Sequence, residues 1–222
     1  MKKFLLLCSL GFLFSCKKAD TLAFDGFTFY FEKPQPIQDS ELSKIPNKFR
    51  GLYANSDSVF IRIKENVILR ENDYKFRFHK NQMDSLKQAF DLSNGKYILK
   101  INQQVFDYKT IGDSIELSNK EVDTLFAFSN TQKAKRINGQ LVLNTKEAVF
   151  WKTKIIQLDK NILTIKEMCA AEDLKRLDSL TKQKSVSIDS TTFIIKPSRK
   201  EFKTILKLKQ LGFELEYNKV IP

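Results

Sequence analysis

The chain has 222 residues, 42% hydrophobic and 29% charged, a composition that excludes disorder, collagen and a polytopic membrane protein. Its 38 Lys and Arg against 26 Asp and Glu give a formal charge of +12. Three Cys cannot form a disulfide framework and a lone His argues against a zinc site, so neither metal nor cofactor is expected. With 19 Phe, the core should be built from large flat side chains.

Lys2 and Lys3 give a basic start, and the run from Phe4 to Phe14 is apolar or weakly polar throughout. A membrane-spanning helix needs roughly 20 apolar residues, so this shorter run reads as the core of an export signal. It closes on Leu13-Phe14-Ser15-Cys16, which resembles the lipobox of bacterial lipoproteins. The resemblance implies a signal peptide over residues 1–15, a diacylglyceryl group on the thiol of Cys16, and acylation of the amine freed by cleavage. Two or more chains anchor a protein stably, each buried methylene contributing ~0.8 kcal/mol. Lys17 stands where an inner-membrane retention signal commonly has Asp, so the implied address is the outer membrane.

Residues 16–48 read as a lipidated tether with one early strand, because Phe27, Phe29 and Phe31 alternate with Thr28 and Tyr30 before Pro34-Gln35-Pro36 breaks regular structure. From Phe49 to the end, a single mainly antiparallel domain is expected. Strands are predicted at 49–54, 58–64, 67–71, 74–79, 96–101, 104–110, 114–118, 122–128, 134–137, 140–144, 148–158 and 161–167. Asn138-Gly139 is the clearest hairpin signal, since both residues tolerate positive φ. Three helices are expected. Asn81 caps the first, with Met83, Leu86 and Phe90 on one face and Gly95 beyond its end. The second runs over 170–181, and the third opens with Ser198 and Glu201 as a capping box and ends at Gly212. A last strand covers 213–217. The expected class is α+β, mainly β, an antiparallel meander forming a strongly curved sheet or barrel with about three helices, two near the C-terminus.

A triplet of Asp, Ser or Thr, and a small or apolar residue recurs along the chain, six of its occurrences beginning at Asp57, Asp84, Asp113, Asp123, Asp178 and Asp189. It resembles the O-glycosylation acceptor triplet of exported proteins in one group of Gram-negative bacteria. That resemblance points to Ser58, Ser114, Thr124 and Ser190, the other two triplets falling on helices. Turn chemistry explains the excess equally well, since Asp and Ser bond nearby backbone amides just before a strand begins.

The basic surplus concentrates in two places. Lys196, Arg199, Lys200, Lys203 and Lys207 mark the third helix as an anion-binding surface or as a solvated face. Lys133, Lys135, Arg136, Lys152 and Lys154 surround the Asn138-Gly139 hairpin. An exported chain meets no nucleic acid, which leaves anionic lipid, glycan or an acidic envelope protein as partners. His79 should point to solvent beside Lys75 and Arg77, and Cys169 is a bystander at a strand-to-helix junction. No phosphate loop, nucleophile elbow or metal-spaced His pair occurs, and Glu214 and Glu216 share a strand face without further catalytic company.

The leading expectation is a non-catalytic, lipid-anchored envelope protein that binds a hydrophobic or anionic ligand, or another outer-membrane protein. An assembly subunit and a carboxylate-dependent hydrolase of envelope polymers are the alternatives. The lipobox reading predicts that the exported wild-type chain incorporates labelled palmitate and that Cys16→Ala abolishes the labelling. Label retained by the variant would contradict it.

Overall fold

The computed structural model describes residues 26–209 and 211–221. The signal segment 1–15 and Cys16 lie outside the described residues. The strands are Thr28–Phe31 (β1), Gly51–Ala54 (β2), Val59–Ile63 (β3), Val67–His79 (β4), Phe90–Ser93 (β5), Lys96–Leu99 (β6), Val105–Ile111 (β7) and Ser114–Ala127 (β8). They continue as Gln132–Ile137 (β9), Gln140–Glu147 (β10), Phe150–Asp159 (β11), Ile162–Glu167 (β12), Val186–Ser187 (β13), Thr192–Ile195 (β14) and Phe213–Lys219 (β15). Three α-helices accompany them, Met83–Ala89 (α1), Ala171–Leu180 (α2) and Arg199–Ile205 (α3).

The sheet follows the order β13-β14-β1-β11-β12-β15-β2-β3-β4-β8-β7-β6-β5, with β10 and β9 branching from β11. Neighbours are antiparallel except β1 and β14, which run parallel with Thr28 opposite Thr192. The mainly β character and the three helices agree with expectation, but the sheet is open and the barrel-like form is corrected. Closure would need β8 to pair with β9. Instead, the Gln132 side-chain oxygen accepts from the Ala127 amide at 2.6 Å, and the Ala134 carbonyl on β9 accepts from Leu42 at 2.8 Å. The N-terminal segment thus occupies the strand edge that a barrel would use.

Three apolar clusters hold the fold. The first contains Ile45, Phe49, Tyr53, Phe126, Leu141 and Tyr217. In the second, Phe29, Phe31, Val142 and Trp151 pack against Leu177, Phe202 and Ile205 of α2 and α3. Leu141 and Val142 are adjacent on β10 and face opposite ways, so β10 is a wall shared by two cores and reads as a continuous run of buried residues. The third cluster lies along the far halves of β4 and β8. There α1 contributes Leu86, and Phe90 meets Tyr97 and Phe106 edge to face, at 6.3 and 5.6 Å between ring centres.

Four local expectations need revision. The pairs 67–71 with 74–79 and 114–118 with 122–128 are single long strands, because Asp73 lies opposite Lys120 and Asn72 opposite Glu121 in a register that outweighs their turn preference. Phe90 opens β5 instead of closing α1. Asn94 and Gly95, with φ of 49° and 73°, form a hairpin turn between β5 and β6, not the end of a helix. The β-branched run Thr191-Thr192-Phe193-Ile194-Ile195 also produces a strand that periodicity alone did not mark.

Across the outer face, cross-strand charges form ladders. Glu71 is buried and bonds both Arg62, through a pair that includes Nη2–Oε2 at 3.2 Å, and Lys120 at 2.8 Å. The Arg62 hydrogen bond, aided by Lys120, holds the Glu71 carboxyl well below the usual range, at about 2. Glu116 is held equally low, first by Lys109 and then by Arg77. A carboxyl depressed on folding stabilises above its unfolded value and loses that contribution as pH falls toward its folded value. Arg62 and Lys120 are partly exposed, which screens the pair. Glu71→Gln should therefore cost about 1–2 kcal/mol at neutral pH, and the deficit should shrink between pH 4.5 and about 2, as read by denaturant unfolding. A pH-independent deficit would contradict this.

Gly212 does not close a helix. Its φ is +70°, and a Cβ there would lie 2.1 Å from the Glu167 carbonyl oxygen of the neighbouring strand. Gly95 has a similar φ of +73° and open space around it. Gly212→Ala should destabilise by about 3 kcal/mol or more, against about 1 kcal/mol for Gly95→Ala. Equal melting shifts would overturn this account of Gly212.

Candidate functional site

Between the N-terminal segment, the end of α2 and the start of α3 lies an open cleft of about 720 Å³. Each wall has a local cause. Ser198 caps α3, and the Glu201 carboxylate returns to the Ser198 amide and hydroxyl at 2.7 and 2.8 Å, completing the expected capping box. The same carboxylate accepts from the Lys182 amide at 2.8 Å, which fastens the chain leaving α2 to the start of α3. These bonds lower the Glu201 carboxyl. The third wall, Glu32 to Ile37, follows β1 and lies beside the sheet.

Four lysines, Lys33, Lys182, Lys196 and Lys200, line this cleft against two glutamates, Glu32 and Glu201. Lys196 pairs with Glu32 at 3.1 Å and Glu201 is committed to its cap, whereas Lys33, Lys182 and Lys200 make no ion pair among the described residues. The lining therefore carries an excess of two positive charges in a concave surface, where field lines concentrate on an incoming anion.

Of the basic residues singled out on the third helix, the fold brings only Lys196 and Lys200 to the cleft. Arg199 turns away into a bidentate pair with Asp39, Nη2–Oδ2 at 3.0 Å, while Lys203 on α3 and Lys207 just past its end are exposed outside the cleft. Lys33 and Lys182 come from distant parts of the chain and had no local signal. The cluster around Asn138-Gly139 is dispersed by pairing. Lys133 meets Glu41 at 2.7 Å, Lys152 meets Glu147 at 3.2 Å and Lys154 meets Glu167 at 2.9 Å. Lys135 is buried, and its ammonium donates to the carbonyls of Pro36 and Pro34 at 2.9 and 3.2 Å.

A second, smaller cleft of about 270 Å³ contains Phe27, Cys169 and Phe213. Burial, with Asp173 next in importance, pushes the Cys169 thiol up, which opposes nucleophilic use. Asp173 is structural. Its Oδ2 accepts from the amides of Cys169 and Ala170 at 3.1 and 3.0 Å, and its Oδ1 accepts from Gly212 at 2.9 Å. His79 is exposed, as expected, and its ring takes the Asn81 amide at the start of a short turn of 3-10 helix. Glu214 is tied to Lys166 while Glu216 is exposed. Among the described residues no group of three or more His, Cys, Asp or Glu side chains is arranged to hold a metal ion.

The triplet residues fall at varied places. Ser58 is exposed in the β2–β3 hairpin at φ 58°, Ser190 is exposed in the β13–β14 turn, Thr124 is exposed within β8, and Ser114 is half-buried at its start. Turn chemistry is formed at one triplet, where Asp189 Oδ1 accepts from the amides of Thr191 and Thr192, both at 2.8 Å. Asp178, within α2, instead bonds the amide and hydroxyl of Ser185, seven residues on, at 2.7 and 3.0 Å.

The described helices include none long and apolar enough to cross a membrane. Comparisons with protein-family models, with curated proteins and with solved structures each gave no match.

Proposed function

We propose that the protein is a lipid-anchored component of the cell envelope, held at the outer membrane through Cys16, that acts by binding an anionic ligand in the cleft between β1, α2 and α3. The observation that carries this reading is the convergence of Lys33, Lys182 and Lys200 from three separate segments on one concave surface. Like charges gathered there repel one another, and a bound anion removes that cost. The anionic branch of the binding expectation is preferred over the hydrophobic one because the aromatic rings fill the three cores, and the larger cleft has no aromatic wall. Catalysis draws no support from the cleft, since its two carboxylates are committed to Lys196 and to the helix cap.

Polyphosphate titrated calorimetrically into the mature chain tests the location. Lys182→Ala with Lys200→Ala should weaken binding about tenfold, roughly 1.4 kcal/mol for two charge-assisted contacts. The charge-matched pair Lys203→Ala with Lys207→Ala should change it less than about twofold. Equal losses from the two pairs would reduce the effect to general surface charge and contradict the site.

A further inference from the structure

We propose that the cleft takes a phosphorylated sugar, its phosphate held by Lys33, Lys182 and Lys200 and one of its hydroxyls donating to Oε1 of Gln35. This rests on the anion-binding reading above and deepens it. Gln35 lines the cleft, yet it is only 2% exposed. Its backbone is locked on both sides by Asn144, whose Oδ1 accepts from the Gln35 amide at 2.7 Å and whose Nδ2 donates to the Gln35 carbonyl at 2.8 Å. Its side-chain Nε2 donates to the Lys33 carbonyl at 3.1 Å, which fixes the orientation of the amide and leaves Oε1 as the acceptor. That oxygen is buried and has no hydrogen-bond partner among the described residues. A buried acceptor left unpaired costs about 1–3 kcal/mol, so a ligand that supplies the missing donor gains specificity at this point.

The two halves of the site ask for different chemistry. An orthophosphate satisfies the lysines, but its only hydroxyls sit on the charged group they hold, so it brings no separate donor to Gln35. An ammonium donor would meet a lining that already carries an excess of two positive charges. A neutral hydroxyl on a molecule that also carries a phosphate meets both demands, and a phosphate monoester, with a charge of about −1.5 to −2 near pH 7, matches the cleft's excess of two positive charges better than a monovalent carboxylate does. The volume of about 720 Å³ lies within the range that holds small ligands. The same chemistry reaches an envelope protein either as a soluble sugar phosphate or as the phosphorylated sugar headgroup of a lipid.

The test titrates the mature, detergent-solubilised chain with glucose 6-phosphate, inorganic phosphate and glucose. Glucose 6-phosphate should bind at least about tenfold more tightly than inorganic phosphate, with glucose weakest, a difference of about 1.4 kcal/mol. Gln35→Met removes the acceptor and keeps the backbone bonds to Asn144. It should bring glucose 6-phosphate down to the affinity of phosphate, leave phosphate unchanged, and melt no lower than wild type. Capture of the chain by phosphatidylcholine vesicles containing lipid A, competed by glucose 6-phosphate, assigns the lipid-linked source. Binding of glucose 6-phosphate without such capture assigns the soluble one. Equal affinity for glucose 6-phosphate and phosphate, or no effect of Gln35→Met, overturns the sugar assignment. The anion-binding reading survives that result if Lys182→Ala with Lys200→Ala still weakens phosphate, and falls with it if that variant binds as wild type does.

Discussion

The side chain of Asn144 stands in for a strand. Pro34 and Pro36 have no amide hydrogen, so residues 34–36 cannot extend a continuous β ladder. Asn144 bonds the amide and carbonyl of Gln35 together, at 2.7 and 2.8 Å, and its Oδ1 also takes the Thr153 hydroxyl at 3.1 Å. The buried ammonium of Lys135 satisfies the carbonyls on either side. Gln35, Lys135, Asn144 and Thr153 are all buried, so each bond made among them avoids a desolvation cost, and the network holds as a unit. Through it, the segment that begins beside the membrane anchor becomes part of the sheet.

Several features of the molecule follow from that docking. Residues leaving Gln35 run to Leu42, which caps the edge of β9, and on to Ile45, which is fully buried in the first core. The sheet stays open because this segment takes the edge that closure would need. Behind Gln35, β1 lies between β14 and β11 and adds Phe29 and Phe31 to the second core, which fixes α2 and α3 against the sheet. The cleft is the space left where these three pieces meet. Its lysines are held by elements whose positions depend on the same network, while Asp173 and Gly212 brace the opposite end of α2.

Much of the fold could be read from local chemistry. Asn138-Gly139, with φ of 50° and 80°, is the hairpin its residues specify, and the Ser198–Glu201 capping box forms as written. Errors arose where a local signal had two readings. Asn94-Gly95 carries the same hairpin chemistry but follows the helical spacing of Met83, Leu86 and Phe90, and that periodicity hid the turn. The long β4–β8 pairing depends on residues some forty positions apart, so Asp73 and Lys120 gave no sign of each other. The site was legible only in part. A basic helix is visible in sequence, but the fate of each charge depends on distant partners: Asp39 removes Arg199, and Lys33 and Lys182 arrive from elsewhere. Nothing local marks Gln35 as buried, because its burial is set by Asn144, more than a hundred residues away.

Hydrogen exchange of the mature chain tests the docking of the N-terminal segment most directly. The Gln35 amide, bonded to a buried side chain, and the Thr28 amide, bonded to the Thr191 carbonyl at 2.8 Å, should be protected to the level of the β10–β11 amides and open only with global unfolding. Exchange of either amide at the rate of an exposed loop, while β10 and β11 remain protected, would show that the segment is a loose tether and would contradict this account of the fold.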